Sequence, residues 1–444
     1  MSNSRRTPLL SILAVVLIGV GLVSSLTKTT NPLVAPGGLG PVNAESTALY
    51  CTGLSGDVGP LEGHVVFLNT TGATRSLAVQ VVNDLGQRAN TTIKLAAYAT
   101  SLLSPISLLK GHSYAVEAQV SGGGVVAQEV TRTGRAQAPC TTSGITNWYE
   151  AGFDTLVGSS GDVSVYNPTA TPAVFNVSTY TTSGFSAPAP FQGLSVGAHS
   201  EMEVNLGSQI VNTSNIAVHV SVLRGTVTVV GVQQSGSVVS LSTGETSLSK
   251  VAWYPLVTTV DNALAQIRVA NPTALAANVT ADVTLPNENI APQIVSIPPY
   301  SSSDIVITPN SAIPPSGYAT VRLTSNVAVT STLATGTSEG ISLWSPQVPS
   351  NMFLLSNFSG LGFNDVAFTN TSSRSVTVHF STVGPTSTSS SFTLAAHDTQ
   401  TFTGVAALRS TTYMAYASSP NVIATSTLPS APIGVTVVPV LNGG

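Results

Sequence analysis

Apolar and polar residues alternate with period two through many short runs of this chain. Val163 and Val165 stand opposite Ser164 and Tyr166, and Val218, Val220 and Val222 stand opposite His219 and Ser221. A period of two turns one set of side chains toward a core and the other toward solvent. Between residues 147 and 232 the strand-like runs are NWYEAGF, GDVSVYNP, AVFNVSTYTT, FQGLSV, HSEMEVNL, NIAVHVSVL and GTVTVVGV. Turn residues separate them. Short strands at this density, in about 100 residues, predict an immunoglobulin-like β-sandwich.

The phrase inside that unit is written more than once. VSVYNPTATPAVFNV at 163–177 is echoed by IRVANPTALAANV at 267–279, and both break at Asn-Pro, after Asn167 and Asn271. Asn69 in HVVFLNTT and Asn370 in DVAFTNTS fall at the same point of two further units. Three other landmarks keep the same order. An apolar start lies upstream: LYC, NWY, AWYP and NMF. A turn lies downstream: KGHSYAV, GAHSEMEV, PPYSSSDIV and AAHDTQTF. A closing strand follows: GGVVAQEV, GTVTVVGV, NVAVTSTL and NVIATSTL. This is a tandem array with a period of about 100 residues. Each marker asparagine stops a strand and opens a turn, because Pro cannot continue a ladder and Asn readily caps a turn. The Asn-Thr versions at Asn69 and Asn370 predict weaker turns of the same kind.

The expected fold is all-β: an N-terminal transmembrane helix followed by four tandem immunoglobulin-like β-sandwich domains. The boundaries are a cytoplasmic tail at 1–8, an anchor or signal segment at 9–26, a Pro/Gly linker at 27–44, and sandwiches at 45–142, 143–246, 247–347 and 348–444. The joints are short, which predicts a semi-rigid rod.

Composition sharpens this reading. Of 444 residues 42% are hydrophobic and only 8% charged, against about 25% charged in ordinary soluble domains. The polar faces of the strands therefore carry Ser and Thr in place of charges. A net charge of −4 offers nothing to nucleic acid. One apolar run, Leu9 to Leu26, is long enough to cross a bilayer, and Arg5 and Arg6 before it favour an N-inside orientation. A cleaved signal peptide is the rival reading, although Val23-Ser24-Ser25 is a poor cleavage site. Both readings export the chain. Cys51 and Cys140 then form one disulfide in an oxidising compartment. Closing that loop stabilises its domain by about 4–5 kcal/mol on chain-entropy grounds. Free thiols or half a metal site are the alternatives, but no C-x-x-C or clustered His supports a metal.

Catalytic chemistry is sparse. Gly336-Thr337-Ser338-Glu339-Gly340 matches G-x-S-x-G, but the nucleophile needs a strand-to-helix elbow and this match lies between strand-like runs. His112, His199 and His397 share one landmark, where Tyr300 replaces them in the third unit; a position that repeats with the fold reads as a turn. Glu201 with Glu203, and Asp154 with Asp162, read as solvated acids, not as a glycosidase pair. Trp148, Trp253 and Trp344 read as plugs of cores or joints. N-x-[ST] occurs at Asn69, Asn90, Asn176, Asn212, Asn278, Asn357 and Asn370. The expectation is no catalytic residue, no metal and no cofactor.

With its short Arg-bearing N-terminus, single apolar segment, Tyr50-Cys51 and repeated Asn-Pro phrases, the chain resembles an uncharacterised actinobacterial family of exported, membrane-anchored proteins. The resemblance implies location and architecture but no activity. The expected role is a non-enzymatic cell-envelope spacer or docking arm, single-pass in the cell membrane with its bulk outside the cytoplasm. Its partners are the membrane, through the one helix, and an envelope protein. A cell-wall glycan-binding module is the alternative.

Overall fold

The structure is a computed structural model. It describes residues 46–439 except 58, 60, 133–135, 260–263, 286–287, 308–312, 314–317, 338–339, 348, 356–364, 383–388, 404–412, 428–433 and 437. The expected anchor at 9–26 and linker at 27–44 lie outside these residues. Among the described residues no helix is long and apolar enough to cross a membrane.

The chain is all-β, with only three short 3-10 turns among the described elements. The first segment has eight strands: Ser46–Ser55, Gly63–Asn69, Arg75–Asn83, Arg88–Leu95, Thr100–Leu103, Ser113–Ser121, Val125–Thr131 and Gln137–Pro139. They form two antiparallel sheets, in the order first-sixth-third-fourth and fifth-second-seventh-eighth. The same order recurs in three further segments, beginning at Asn147, Ser249 and Met352. In the third segment one strand, Tyr318–Thr337, serves as both sixth and seventh and crosses from one sheet to the other.

This order corrects the immunoglobulin-like expectation. An immunoglobulin sandwich keeps its first two strands together in an A-B-E-D sheet. Here the first and second strands of every segment lie in opposite sheets, so each unit is a different double-sheet arrangement. Periodicity cannot separate the two, because it reports which face is buried and not which strand is the neighbour.

The inward sets build four main apolar clusters in chain order. The first runs from Leu49 to Cys140, the second from Trp148 to Val229, the third from Ala252 to Leu333 and the fourth from Phe353 to Ala424. Val163 and Val165 are fully buried in the second. A disulfide joins Cys51 to Cys140 across 89 residues.

Successive segments pack sheet on sheet. The first-sixth-third-fourth sheet of one segment lies on the fifth-second-seventh-eighth sheet of the next, between the first and second segments, the second and third, and the third and fourth. The eighth strands gather as well: Gln137–Pro139 lies beside Val238–Ser242, which lies beside Gly340–Trp344, and Gly434–Thr436 returns to the side of Gln137–Pro139. The segments therefore stack laterally and curl, where the short joints predict a semi-rigid rod. Short joints turn each segment back beside its predecessor.

Candidate functional site: the joints between sandwiches

The four marker asparagines are fully buried and make one set of hydrogen bonds four times. The Asn167 amide donates to the carbonyls of Thr171 at 2.8 Å and Gly197 at 2.9 Å, and its Oδ1 accepts from Thr169 N–H at 2.9 Å and Thr169 Oγ1 at 2.8 Å. Asn69 does the same with Ala73, Ala96 and Thr71. Asn271 uses Leu275, Pro298 and Thr273, and Asn370 uses Arg374, Ala395 and Ser372. The side chain thus ties the end of the second strand to the turn before the fifth. That turn holds a non-glycine residue in the left-handed region: Tyr98, His199, Tyr300 and His397 have φ of 58°, 45°, 55° and 57°. Each donates its N–H to the carbonyl of the residue two past the asparagine.

Two readings change here. His112 does not share the landmark of His199 and His397; Tyr98 holds that place in the first segment. KGH imitates GAH in letters, but the conserved quantity is position relative to the asparagine. The Asn-Thr turns are not weaker either. Where Pro168 offers no N–H, Thr70 donates to Gly124 at 2.9 Å and Thr371 to Asn421 at 2.8 Å. The burial of Asn69 and Asn370 also removes both as open N-glycosylation acceptors.

Where sandwiches meet, the hydroxyl-bearing faces are not wet. At the first joint Thr52, Ser164 and Glu201 are buried. Glu201 accepts from Ser164 Oγ at 2.7 Å, Thr52 Oγ1 at 3.3 Å, Gly53 N–H at 3.4 Å and Ser113 Oγ at 3.4 Å. Burial pushes its carboxyl up to about 7, against the pull of these donors. Beneath it Glu129 lies against the disulfide and accepts from Thr52 N–H at 2.6 Å, while its Oε2 has no hydrogen-bond partner among the described residues. Burial and the nearby Glu201 raise Glu129 well above the carboxylate range. At the rim Tyr166 donates to Glu117 at 2.8 Å.

The second joint has small residues at its centre, Ala151, Ala217 and Ala270, which bring the sheets close. At one end Arg268 donates to Asp154 at 2.9 Å and both are almost wholly buried. Asn215 donates to Asp304 at 2.7 Å beside them. At the other end Glu150 accepts from Ser242 Oγ at 2.6 Å, Thr332 Oγ1 at 2.6 Å and Ser345 Oγ at 3.2 Å. Glu245 accepts from Thr330 Oγ1 at 2.7 Å. Burial lifts Glu150 to about 7 and Glu245 to about 8, the latter helped by Glu150. On the flank Tyr180, Phe185 and Tyr300 form a ring-to-ring chain across the joint.

At the third joint Trp253 stacks on His397 at 6.4 Å under the Arg322 guanidinium. Trp148 fills the second core and donates to Thr243 O at 2.7 Å; Trp344 is half-buried against the third core. The three tryptophans do not share a face. Thr337 pairs with Gly340 between two antiparallel strands, while Ser338 and Glu339 of the G-x-S-x-G match lie outside the described residues.

Beside the first joint is a crevice of about 310 Å³. Asp57, His112, Asp162 and Glu203 line it, with Leu54 and Leu241. Asp162 is raised by burial although Asn205 donates to it at 2.6 Å, and Glu203 is raised by burial and by Asp162, Asp84 and Asp57. The crevice presents hydrogen-bond acceptors and suits a ligand rich in hydroxyl or amine donors. Sequence reasoning missed these carboxylates as a group because Glu203 and Asp162 meet only through the pairing of the second and fifth strands.

A protein family described as "Family of unknown function (DUF5719)" matches residues 114–340. That is a little over half of the chain. The chain belongs to this family. The DUF5719 match begins in the sixth strand of the first segment, at Tyr114, and ends at Gly340 in the third. It therefore takes in the second-segment side of the first joint, Ser164 and Glu201, and most of the second joint, but not Thr52, Gly53 or Ser345. No curated protein matches the chain. A solved structure titled "Crystal structure of tetra-tandem repeat in extending region of large adhesion protein" aligns at 13% identity over 81% of this chain and 93% of that one, with a TM-score of 0.12. A score that low carries no argument.

Proposed function

We propose that this DUF5719 chain is a non-enzymatic cell-envelope protein, a membrane-anchored extracytoplasmic spacer or protein-docking arm. The observation that carries the reading is the fourfold recurrence of one sandwich, with Ser, Thr and Glu side chains buried where successive sandwiches meet. Such a stack fixes the relative position of distant surfaces and leaves outer edge strands, such as Arg88–Leu95 with its alternating exposed residues, free for a partner. Leu9 to Leu26 is the proposed single-pass anchor, and the Cys51–Cys140 bond suits an oxidising compartment.

A second reading, a module for cell-wall glycan, is favoured by the acceptor-lined crevice beside the first joint. In-cell crosslinking of the full-length protein, followed by affinity purification, mass spectrometry and sugar analysis of the same eluate, separates the two. A defined envelope protein in the eluate supports the docking arm. Wall glycan without a protein partner overturns it in favour of the module.

A further inference from the structure

Besides Asp154, which has Arg268, three carboxyl groups that close the joints have no cation beside them among the described residues: Glu201 and Glu150, both buried, and Glu245, partly buried. Glu201 closes the first joint; Glu150 and Glu245 close the second. Their partners are hydroxyls and backbone N–H groups from both segments of each joint. The one buried guanidinium at the second joint, Arg268, is already committed to Asp154 and to the carbonyl of Gly152. A carboxylate taken out of water without a counter-charge costs several kcal/mol, and such a group keeps its proton instead.

We propose that the joints are closed by protons: Glu201, and Glu150 with Glu245, sit as neutral acids between the sandwiches, and losing those protons loosens the stack.

The surroundings are one-sided. The titratable groups that bear on Glu201 are Glu203 on its own strand and Glu129 beneath it. Glu245 faces Glu150, and Tyr254 from the third segment lies within the field of both. All of these neighbours are anionic or neutral when they titrate, so each opposes ionisation. The hydroxyl partners fit either state, since Ser and Thr can accept from a protonated carboxyl as well as donate to a carboxylate.

The sign follows from linkage. Each acid holds its proton more tightly folded than unfolded, so its contribution is fully present below about 4.5, the ordinary Glu value. It is lost as pH rises through about 7 for Glu201 and Glu150, and about 8 for Glu245. The stack is tight in mild acid and looser in mild alkali.

Hydrogen exchange of the full-length chain at pH 5.5 and pH 8.5, corrected for intrinsic rates, tests this. Joint strands Asn147–Phe153 and Ser200–Asn205 should lose protection by about tenfold or more at the higher pH, since one unit of altered proton affinity is a factor of ten. Gly63–Asn69, whose Val65 and Phe67 lie in the first core and whose sheet is not the one packed on the second segment, should change less. Glu150→Gln with Glu245→Gln, and Glu201→Gln separately, should abolish the pH response of their own joint. Equal protection at both pH values, or a response that survives these substitutions, overturns the proposal. So does recovery of protection at pH 8.5 on adding calcium alone, which would make the joint a cation site. If a variant does not fold, the wild-type infrared spectrum at pH 6 decides: the C=O stretch of buried protonated carboxyls supports the proposal, and its absence overturns it.

Discussion

Trp148 and Glu150 are two residues apart on the same strand, and both are almost completely buried. Trp148 lies among Val163, Phe175 and Val220 in an apolar core. Glu150 lies among Ser242, Thr332 and Ser345 where two sandwiches meet. The interior of this molecule is therefore of two kinds. Cores are held by area removed from water, which needs no direction. Joints add to their apolar and ring contacts a set of hydrogen bonds and the buried Arg268–Asp154 pair, which fail if a partner is missing. The first kind gives stability; the second fixes how one sandwich sits on the next.

The largest effect should come from the core. Trp148→Ala removes a fully buried indole and its bond to Thr243, and should cost about 3–5 kcal/mol. Urea unfolding followed by Trp253 and Trp344 fluorescence reads it. If the loss is under about 1 kcal/mol, the second core does not depend on its tryptophan and the contrast with the joint fails.

Asp154→Ala should cost about 3 kcal/mol, because Arg268 is left charged and buried. The sharper test is the pair: Asp154→Ala with Arg268→Met should recover most of the loss. A double variant as unstable as the single one would mean that the pair does more than neutralise itself, and that the joint relies on the bond from Arg268 to Gly152 O.

Much of this was legible from letters alone, but unevenly. The alternation at 163–166 and 217–222 named the core residues, because burial of one face is what a period of two records. The asparagines announced the repeat because all four do one geometric job that a substitute would not do. What period two cannot tell is what covers the other face. Ser164, Thr52 and Thr332 read as solvent-facing hydroxyls and are buried between segments. Asp154 and Glu201 read as surface acids and are buried for the same reason. A signal was present: polar faces that meet water usually carry Lys and Glu, and 8% charge in 444 residues is too little to cover four wet sandwiches. His112 misled because a three-letter likeness was weighed above distance from the marker asparagine.

The asparagine ties lie between the two kinds of interior, since each is a polar group inside a single sandwich. Asn167→Ala should cost about 2 kcal/mol, as it leaves the carbonyls of Thr171 and Gly197 and the N–H of Thr169 without their partner. Asn167→Asp should cost at least as much at neutral pH: a carboxylate keeps the bonds from Thr169 but meets two carbonyls with no N–H to give. Thermal melts at pH 7 and pH 5 should show the Asp variant improving on acidification while the Ala variant does not. Parallel behaviour of the two would mean that the amide N–H groups contribute nothing.

The smallest effect should come from the flank of the second joint. Phe185 is 54% exposed and Tyr300 44% exposed, and their ring centres are 6.4 Å apart. Phe185 also reaches Tyr180, which is buried beside the joint alanines. Half-exposed rings at these distances contribute about 0.5–1.5 kcal/mol per pair, and Phe185 pays back part of that in water-exposed apolar surface. Phe185→Ser should therefore change global unfolding by about 1 kcal/mol or less. Its effect should be local instead: faster hydrogen exchange in Gly184–Ser186 and Ser301–Val306, the strands it bridges, with the second core unmoved. Equal acceleration throughout the second core would place Phe185 with Trp148, as part of a sandwich and not as part of the seam between two.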